Sequence, residues 1–339
     1  MKNNSPTLRI TLTSISVIIS LFSLEARASE CRPDPYVRPF GDRAPWNIPA
    51  IDLPSHADSR HLVRLLWEDS TVPYNGNFNL TFDQYTYPVY YAACATEEVR
   101  VMIASPSDLS GHEVPWNRSW RPASGSDAQV IILDQATGRE WDLWQAKLNG
   151  DVLNASNGSL VAGSYWTNET GWGPSRGAGI PYYAMLVQPE SLRLGTIRHA
   201  LSMPIKNTDG KTFVPPATKL EHPGRPEGIP AGTRFVLTVT DEEIDAWINT
   251  LPDSFEDSTR RSARIIAEAL RTYGWFVTDT SGSAHLQFED RITAGELWDE
   301  VGLAPTTIAG KEYPRDLLDG LVQPDRIRAT VASDWYAME

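Results

Sequence analysis

The sequence predicts a mainly β fold of the β-sandwich or jelly-roll kind, with helical additions in the C-terminal third. The first observation is the alternation of apolar and polar residues in Phe78-Asn79-Leu80-Thr81-Phe82, which is typical of a half-buried strand. The second is a series of short strand-like segments between residues 98 and 147, separated by loops and turns. The third is that the longest helical patterns come only after residue 240.

The first 28 residues have the pattern of a signal peptide. Lys2 and Arg9 precede an apolar run from Ile10 to Leu24, and Ala26-Arg27-Ala28 supplies the small residues of a cleavage site. The run is shorter than a membrane-spanning helix requires. We therefore expect cleavage near Ala28 and a mature chain that is secreted, extracellular or periplasmic, with no membrane association. A retained signal anchor is the alternative.

The mature chain divides by composition into three parts. Residues 29–57 are Pro-rich and are expected to wrap over the domain surface. Residues 58–304 are expected to form a single β-rich catalytic or binding domain, beginning with a short amphipathic helix over 58–67. Residues 305–339 are expected to be a peripheral tail.

Strands dominate the centre of the chain. Strand patterns lie at 98–104 and 128–134, and the turn at 135–138 predicts a hairpin with a second strand over 139–147. Further strands are expected at 199–205 and 233–240.

Helical patterns follow in the C-terminal third. Helices are expected over 241–250 and 259–273, the second closed by Gly274 as its C-cap, and over 293–301. Residues 275–279 and 284–288 are expected to pair as a closing hairpin around the turn at 280–283.

The two cysteines, Cys31 and Cys94, are expected to pair in a disulfide, because an oxidising compartment permits one. Two free buried thiols are the alternative. The net charge of −13 and the absence of basic clusters argue against nucleic acid and anionic membranes as partners. Twelve Trp and twelve Tyr suit either sugar stacking or a sandwich core.

The stretch from Gly171 to Leu201 is dense in Gly and Pro, which restrict the backbone and suggest one fixed shape. It also carries side chains that bind, ionise or donate, among them Arg176, Tyr182, Glu190 and His199. Two interpretations stay open. The stretch is either a buried, tightly turned crossover or the floor of a polar cleft.

The segment Glu140-Trp141-Asp142-Leu143-Trp144 places two carboxylates on one face of a strand, because residues i and i+2 point the same way. Two neighbouring carboxylates can have separated pKa values, as a nucleophile and a general acid require. The segment resembles the catalytic strand of retaining jelly-roll endoglycanases, with Glu140 in the position of the nucleophile. Gln145 replaces the final Glu of that pattern, which removes the proton donor. The alternative is a solvent-exposed face of the sheet that carries two acidic side chains without a catalytic role.

A wider set of motifs resembles an uncharacterised family of secreted β-rich proteins and implies a shared fold, without supplying a reaction. The motifs are Pro45-Trp46-Asn47, Gly179-Ile180-Pro181, Glu190, Ile197-Arg198-His199-Ala200-Leu201, His222, Gly232-Thr233-Arg234-Phe235 and Ala269-Leu270-Arg271-Thr272-Tyr273-Gly274.

These observations predict a secreted glycoside hydrolase that acts on a polysaccharide or oligosaccharide as a monomer. Asp142 and Glu190 are the acid/base candidates, with Glu140 as a further carboxylate and His199 as a proton shuttle. The expected substrate-binding residues are Trp144, Trp172, Arg176, Tyr182, Arg198 and His222, and Trp141 and Trp166 are also expected to line the cleft.

Two other functions remain open. A polysaccharide lyase would use His199 or Tyr182 as the base and Arg198 or Arg176 to neutralise a uronate carboxylate. A non-catalytic carbohydrate-binding or cell-surface domain would need aromatic planes but no paired acids. No cofactor is expected, and no metal, because neither HxH nor HExxH spacing occurs.

Overall fold

The chain forms many short strands with a few helices between them. The computed structural model describes Arg32 and residues 38–68, 78–161, 175–221 and 227–331. The strands are β1 (Asn79–Thr81), β2 (Val89–Tyr91), β3 (Glu97–Ile103), β4 (Glu113–Trp116), β5 (Val130–Asp134), β6 (Arg139–Trp144), β7 (Lys147–Asn149), β8 (Val152–Ala155), β9 (Asn157–Val161), β10 (Leu201–Ile205), β11 (Thr208–Phe213), β12 (Ile229–Ala231), β13 (Arg234–Leu237), β14 (Trp275–Thr280), β15 (His285–Gln287), β16 (Thr306–Ile308), β17 (Lys311–Tyr313) and β18 (Ile327–Ala329). The helices are α1 (Ser59–Leu66), α2 (Pro189–Arg193), α3 (Asp241–Ile248), α4 (Asp257–Thr272) and α5 (Arg291–Glu300). The expected mainly β fold with helices in the C-terminal third is confirmed.

Two four-stranded sheets form a sandwich in the first half of the fold. Their strand orders are β2-β5-β6-β9 and β4-β3-β8-β7. Side chains from both sheets share one hydrophobic core, to which β3 contributes Val101, β6 contributes Leu143 and β8 contributes Leu153. The pairing is mixed, since β2 with β5 and β3 with β8 are parallel, whereas β5 with β6 is an antiparallel hairpin.

A second hydrophobic core surrounds the sheet β10-β14-β13-β18. Helices α1, α3, α4 and α5 contribute their apolar faces to it, as the 3.6-residue spacing of their buried residues allows. Helix α3 begins with a capping box formed by Thr240 and Glu243. Helix α4 ends at Thr272, and Gly274 follows with a φ of +69°, so the expected glycine stop is confirmed.

The expected closing hairpin at 275–288 is wrong. Strand β14 pairs in parallel with β10 and antiparallel with β13, so both of its edges are occupied. Strand β15 pairs instead with β1, in parallel. The local alternation located both strands correctly but carried no information about their distant partners.

The expectation of a peripheral tail after residue 304 is also wrong. Strand β18 pairs with β13 and forms one edge of the sheet β10-β14-β13-β18. Leu317, Leu318 and Leu321 are each no more than 1% exposed and belong to the second core. The tail folds inward because these leucines bury apolar surface against the helices.

The N-terminal segment is anchored to the same sheet in its described part. Trp46, in a 3-10 helix at Pro45–Asn47, is 1% exposed. The Arg234 guanidinium donates to the carbonyls of Ile48 at 2.5 Å and Tyr273 at 2.7 Å. Within the described ranges, no helix has both the length and the apolar character needed to cross a bilayer.

Candidate functional site

A buried arginine lies where the two halves of the fold meet. Arg176 is 0% exposed. Its Nη1 donates to the hydroxyls of Ser202 at 2.6 Å and Tyr87 at 3.1 Å, and also to Oε1 of Gln287. Its Nε and Nη2 donate to backbone carbonyls of residues 181, 182 and 184, between 2.6 and 3.2 Å. All three guanidinium nitrogens of Arg176 therefore donate hydrogen bonds within the protein.

The segment around Arg176 is a buried crossover, the first of the two interpretations left open by the sequence. Most of residues 178–189 are buried, and Tyr183 is 1% exposed. Gly179 has a φ of +74°, and a Cβ atom there would lie 2.0 Å from Oγ1 of Thr218. Only glycine fits this turn, which fixes Arg176 and the two tyrosines that follow it.

Two carboxyl groups approach the crossover from β6. Glu140 and Asp142 are 0% and 1% exposed, and Trp141 and Leu143 point into the sandwich core on the opposite face. The predicted alternation of β6 is therefore confirmed. Asp142 accepts from the backbone N–H of Tyr182 at 3.0 Å, and Glu140 accepts from that of Tyr183 at 2.9 Å.

The Glu140–Asp142 pair holds a proton. Burial raises the pKa of Glu140 well above its usual value, and the charge of Asp142 adds to this. Burial also raises the pKa of Asp142, to about 6, although hydrogen bonds from Glu140, from the Ser175 hydroxyl and from the Tyr182 N–H oppose the rise. Near neutral pH, Glu140 is the protonated partner and donates to an ionised Asp142.

A second carboxyl pair flanks the same segment, at positions that no sequence pattern singled out. Asp279, at the end of β14, is hydrogen-bonded to Glu221 and to the backbone N–H of Gly177. The pKa of Asp279 is raised to about 8. Burial is the main cause, and the negative charge of Glu221 contributes to the same rise. Asp279 and Glu221 are half-buried, unlike the pair on β6. A Cβ atom at Gly177 would lie 2.4 Å from Oδ1 of Asp279, so glycine permits the close approach.

Tyrosines complete the cluster. Tyr182 stacks on Tyr87 with ring centroids 4.4 Å apart, and both are at most 5% exposed. Burial raises the pKa of each phenol. The hydroxyl of Tyr183 donates to Oε1 of Gln188 at 2.7 Å, and the Gln188 amide donates towards Glu289 at 3.4 Å. The phenols of Tyr87 and Tyr182 therefore stay neutral near pH 7.

The other expected catalytic residues lie elsewhere. Nδ1 of His199 donates to the Ala200 carbonyl at 2.9 Å, and the Ala200 N–H donates to the carbonyl of Trp46 at 2.7 Å. His199 therefore lies with the N-terminal segment, and burial lowers its pKa to about 4. Arg198 beside it is exposed. Glu190 is half-buried on α2, which packs against α5.

The expected aromatic lining divides into three groups. Trp141 is 6% exposed and belongs to the sandwich core, so its expected place in a cleft is wrong. Trp144 is half-buried at the end of β6, opposite Asn157. Trp166, Trp172 and His222 lie outside the described residues. Cys31 does too, so its disulfide with Cys94 stays a prediction.

The described ranges contain no group of three His, Cys, Asp or Glu side chains placed to hold a metal ion. No protein-family model, no curated protein and no solved structure matches the chain. The chemistry of the carboxyl pairs is therefore the basis for a functional argument.

Proposed function

We propose that the chain is a secreted glycoside hydrolase that cleaves a polysaccharide by carboxyl acid/base chemistry, with Asp279 as the general acid. The observation that carries this proposal is a half-buried carboxyl whose pKa is raised to about 8 beside a second carboxyl. Such a group keeps its proton at neutral pH and can give it to a leaving-group oxygen.

Asp142 is the ionised partner in this proposal. With a pKa of about 6 it is charged at neutral pH, whereas Asp279 is not. Environments that separate the pKa values of two carboxyls in this way divide the roles of base and acid between them. Asp142 is hydrogen-bonded to the Ser175 hydroxyl, and that hydroxyl lies 2.7 Å from the hydroxyl of Ser159, so the buried carboxylate belongs to a short chain of hydroxyl groups.

Glu140 and Glu221 act on the pKa values of these two acids. The likeness of β6 to the endoglycanase strand would make Glu140 a nucleophile, but its raised pKa keeps it protonated at neutral pH, and a protonated carboxyl cannot attack. We assign it instead to holding Asp142 in its ionised form by hydrogen bonding. Glu221 has the opposite effect on Asp279, because its charge raises the pKa of Asp279 and so keeps Asp279 protonated.

Arg176 and Tyr182 receive positioning roles rather than the substrate-binding roles expected from the sequence. Arg176 is completely buried, and its donors are used by the protein. This argues against a lyase in which it neutralises a substrate carboxylate. A lyase would also need Tyr182 or His199 as a base, yet burial raises the phenol pKa of Tyr182, and His199 lies against the N-terminal segment.

The test is a product screen with the full secreted chain on neutral and uronic-acid polysaccharides. Reducing ends and the ultraviolet absorbance of unsaturated uronates are followed together. The proposal expects reducing ends without absorbance, and their loss in Asp279→Asn. Both signals together would identify a lyase. If neither reducing ends nor absorbance appears with any polymer, and the chain binds one of them, the protein is a carbohydrate-binding domain and the catalytic proposal is overturned.

A further inference from the structure

Unusual backbone conformations gather around one surface loop. Tyr85, Ala128 and Gln145 have positive φ values of 55°, 39° and 54°. Ala128 lies in the Ser124–Gln129 loop and the other two border it, because Gln84, next to Tyr85, bridges to Ser124, and the N–H of Gln145 donates to the Asp127 carbonyl at 2.7 Å. Non-glycine residues rarely adopt such angles, and they concentrate where a surface binds a ligand.

The ring of Tyr85 is held in an exposed position by this arrangement. The residue is 43% exposed, and a Cβ atom at Gly125 would lie 3.4 Å from Cζ of its ring. Gly125 has a φ of +93° and no side chain, so the aromatic ring rests directly against the loop. The carbonyl of Tyr85 accepts from Nε2 of Gln287 at 3.0 Å.

Gln287 connects this exposed ring to the buried cluster. Its Oε1 accepts from Nη1 of Arg176 and from the hydroxyl of Ser202 at 2.6 Å. One amide side chain therefore fixes the backbone of Tyr85 on one side and the guanidinium on the other. Arg176 adjoins Gly177, which donates to Asp279, so the backbone of Tyr85 is connected to the proposed acid through Gln287 and Arg176.

The loop against which the ring rests is polar. Asp127 and Gln145 are half-buried, and Ser124 and Ser126 are exposed. The Gln145 amide donates to the Ser126 carbonyl at 3.2 Å and accepts from the Ser156 hydroxyl at 2.6 Å. A protein partner with an apolar surface would desolvate these groups at a cost, whereas hydroxyl-rich ligands can replace their water.

We propose that Tyr85 and the Ser124–Gln129 loop form a sugar-binding subsite, in which a pyranose ring of the polysaccharide stacks on the exposed ring of Tyr85. The polar groups of Asp127 and Gln145 hydrogen-bond to the sugar hydroxyls. The subsite rests on the carbohydrate substrate of the proposed function and adds to it the place where the chain of sugars is held. Trp144, which precedes Gln145, is half-buried at the end of β6.

The test measures binding apart from cleavage. Native gel electrophoresis of the full chain in gels that contain each polysaccharide identifies a polymer that retards the wild type. Tyr85→Ala is expected to weaken that retardation about two- to twelvefold, which is the fold-change that corresponds to about 0.5–1.5 kcal/mol for one aromatic contact. Tyr85→Trp is expected to retain it. Phe213→Ala, at an aromatic that is 40% exposed on β11, serves as the matched control.

The outcomes separate this inference from the catalytic proposal. Retardation of Tyr85→Ala equal to wild type would overturn the subsite, as would a wild type that no polymer retards. Asp279→Asn tests the other proposal, since it is expected to bind as wild type and to release no reducing ends. If Asp279→Asn still hydrolyses while Tyr85→Ala fails to bind, the assignment of the acid is wrong and the subsite stands.

Discussion

The Nη1 atom of Arg176 donates to the hydroxyl of Tyr87 at 3.1 Å, and the guanidinium carbon lies 4.8 Å from the centroid of the same ring. The arginine therefore meets this tyrosine both through a hydrogen bond and through the ring's π system. Its other direct partners are neutral oxygens, and the charge of Asp142 acts at longer range. A buried cation is held here by dipoles and a nearby carboxylate.

Replacing Arg176 with Met should lower the free energy of unfolding by about 3–5 kcal/mol, because it leaves buried acceptors and an ionised carboxylate without their partner. Arg176→Lys should also be destabilising, since an ammonium cannot reach acceptors on both sides. Urea denaturation measures both. Arg100→Met, at an exposed position on β3, is the control and should change stability by less than about 0.5 kcal/mol. A mild effect of Arg176→Met would contradict the central role of this cluster.

Asp279→Asn should lower kcat for polysaccharide hydrolysis by about 10²–10⁴-fold, because the amide keeps the shape of the side chain but cannot donate a carboxyl proton. The measurement is reducing-end release at saturating substrate. Asp253→Asn, at an exposed acid between α3 and α4, is the matched control and should act as wild type. Full activity of Asp279→Asn would remove Asp279 from the mechanism.

The pH dependence of kcat/KM should be bell-shaped. Activity should fall above about pH 8 as Asp279 loses its proton, and below about pH 6 as Asp142 gains one. Glu221→Gln should move the alkaline limb to lower pH, because it removes the neighbouring negative charge that raises the pKa of Asp279. An alkaline limb that does not move would show that Glu221 does not influence the proton donor.

The buried His199 should make the protein sensitive to acid. Its pKa is lowered from 6.5 to about 4 in the folded chain, so the unfolded chain binds the proton first as the pH falls. Stability from this group is therefore present above about pH 6.5 and is lost progressively towards pH 4, by about 3 kcal/mol. Urea titrations at pH 7 and pH 4.5 should show a smaller difference for His199→Gln than for wild type. An equal difference would contradict this origin of the acid sensitivity.

Gly274→Ala should be strongly destabilising. A Cβ atom at this position would lie 1.9 Å from the backbone oxygen of Phe235, and the φ of +69° disfavours any side chain. Backbone on β13 would have to move, so the loss should exceed the about 1 kcal/mol of an ordinary strained glycine position. Thermal unfolding measures it, and Gly282→Ala, where a Cβ meets nothing within 4 Å, is the control. Similar melting temperatures for the two variants would refute the close packing of α4 on β13.

Local patterns were sufficient to predict some features and not others. The alternation in β6 placed Glu140 and Asp142 on one face because side-chain direction in a strand depends only on neighbouring residues. The partnership of Asp279 with Glu221 joins two distant positions, so no spacing revealed it. The only sequence signal near it was the glycine at 177, which admits the Asp279 carboxylate.

The errors have the same origin. The segment from Trp275 to Phe288 contains two strands and a turn, which is the local signature of a hairpin. Instead, β14 pairs with β10 and β13, and β15 pairs with β1. Tertiary packing determines which strands become neighbours, and the local sequence does not show it. Leu317, Leu318 and Leu321 show no local sign of burial, because the other residues of the core that they join come much earlier in the chain.

The pairing of β13 with β18 has a consequence for biosynthesis. A ribosome delivers β13 and β14 well before residues 327–329, so the nascent sheet has an open edge until the last strand emerges. Open edges of this kind attract strands from other chains. The interval between the synthesis of Leu237 and that of Ile327 is thus the period in which a newly made chain is most exposed to aggregation, and a holding chaperone would act within it.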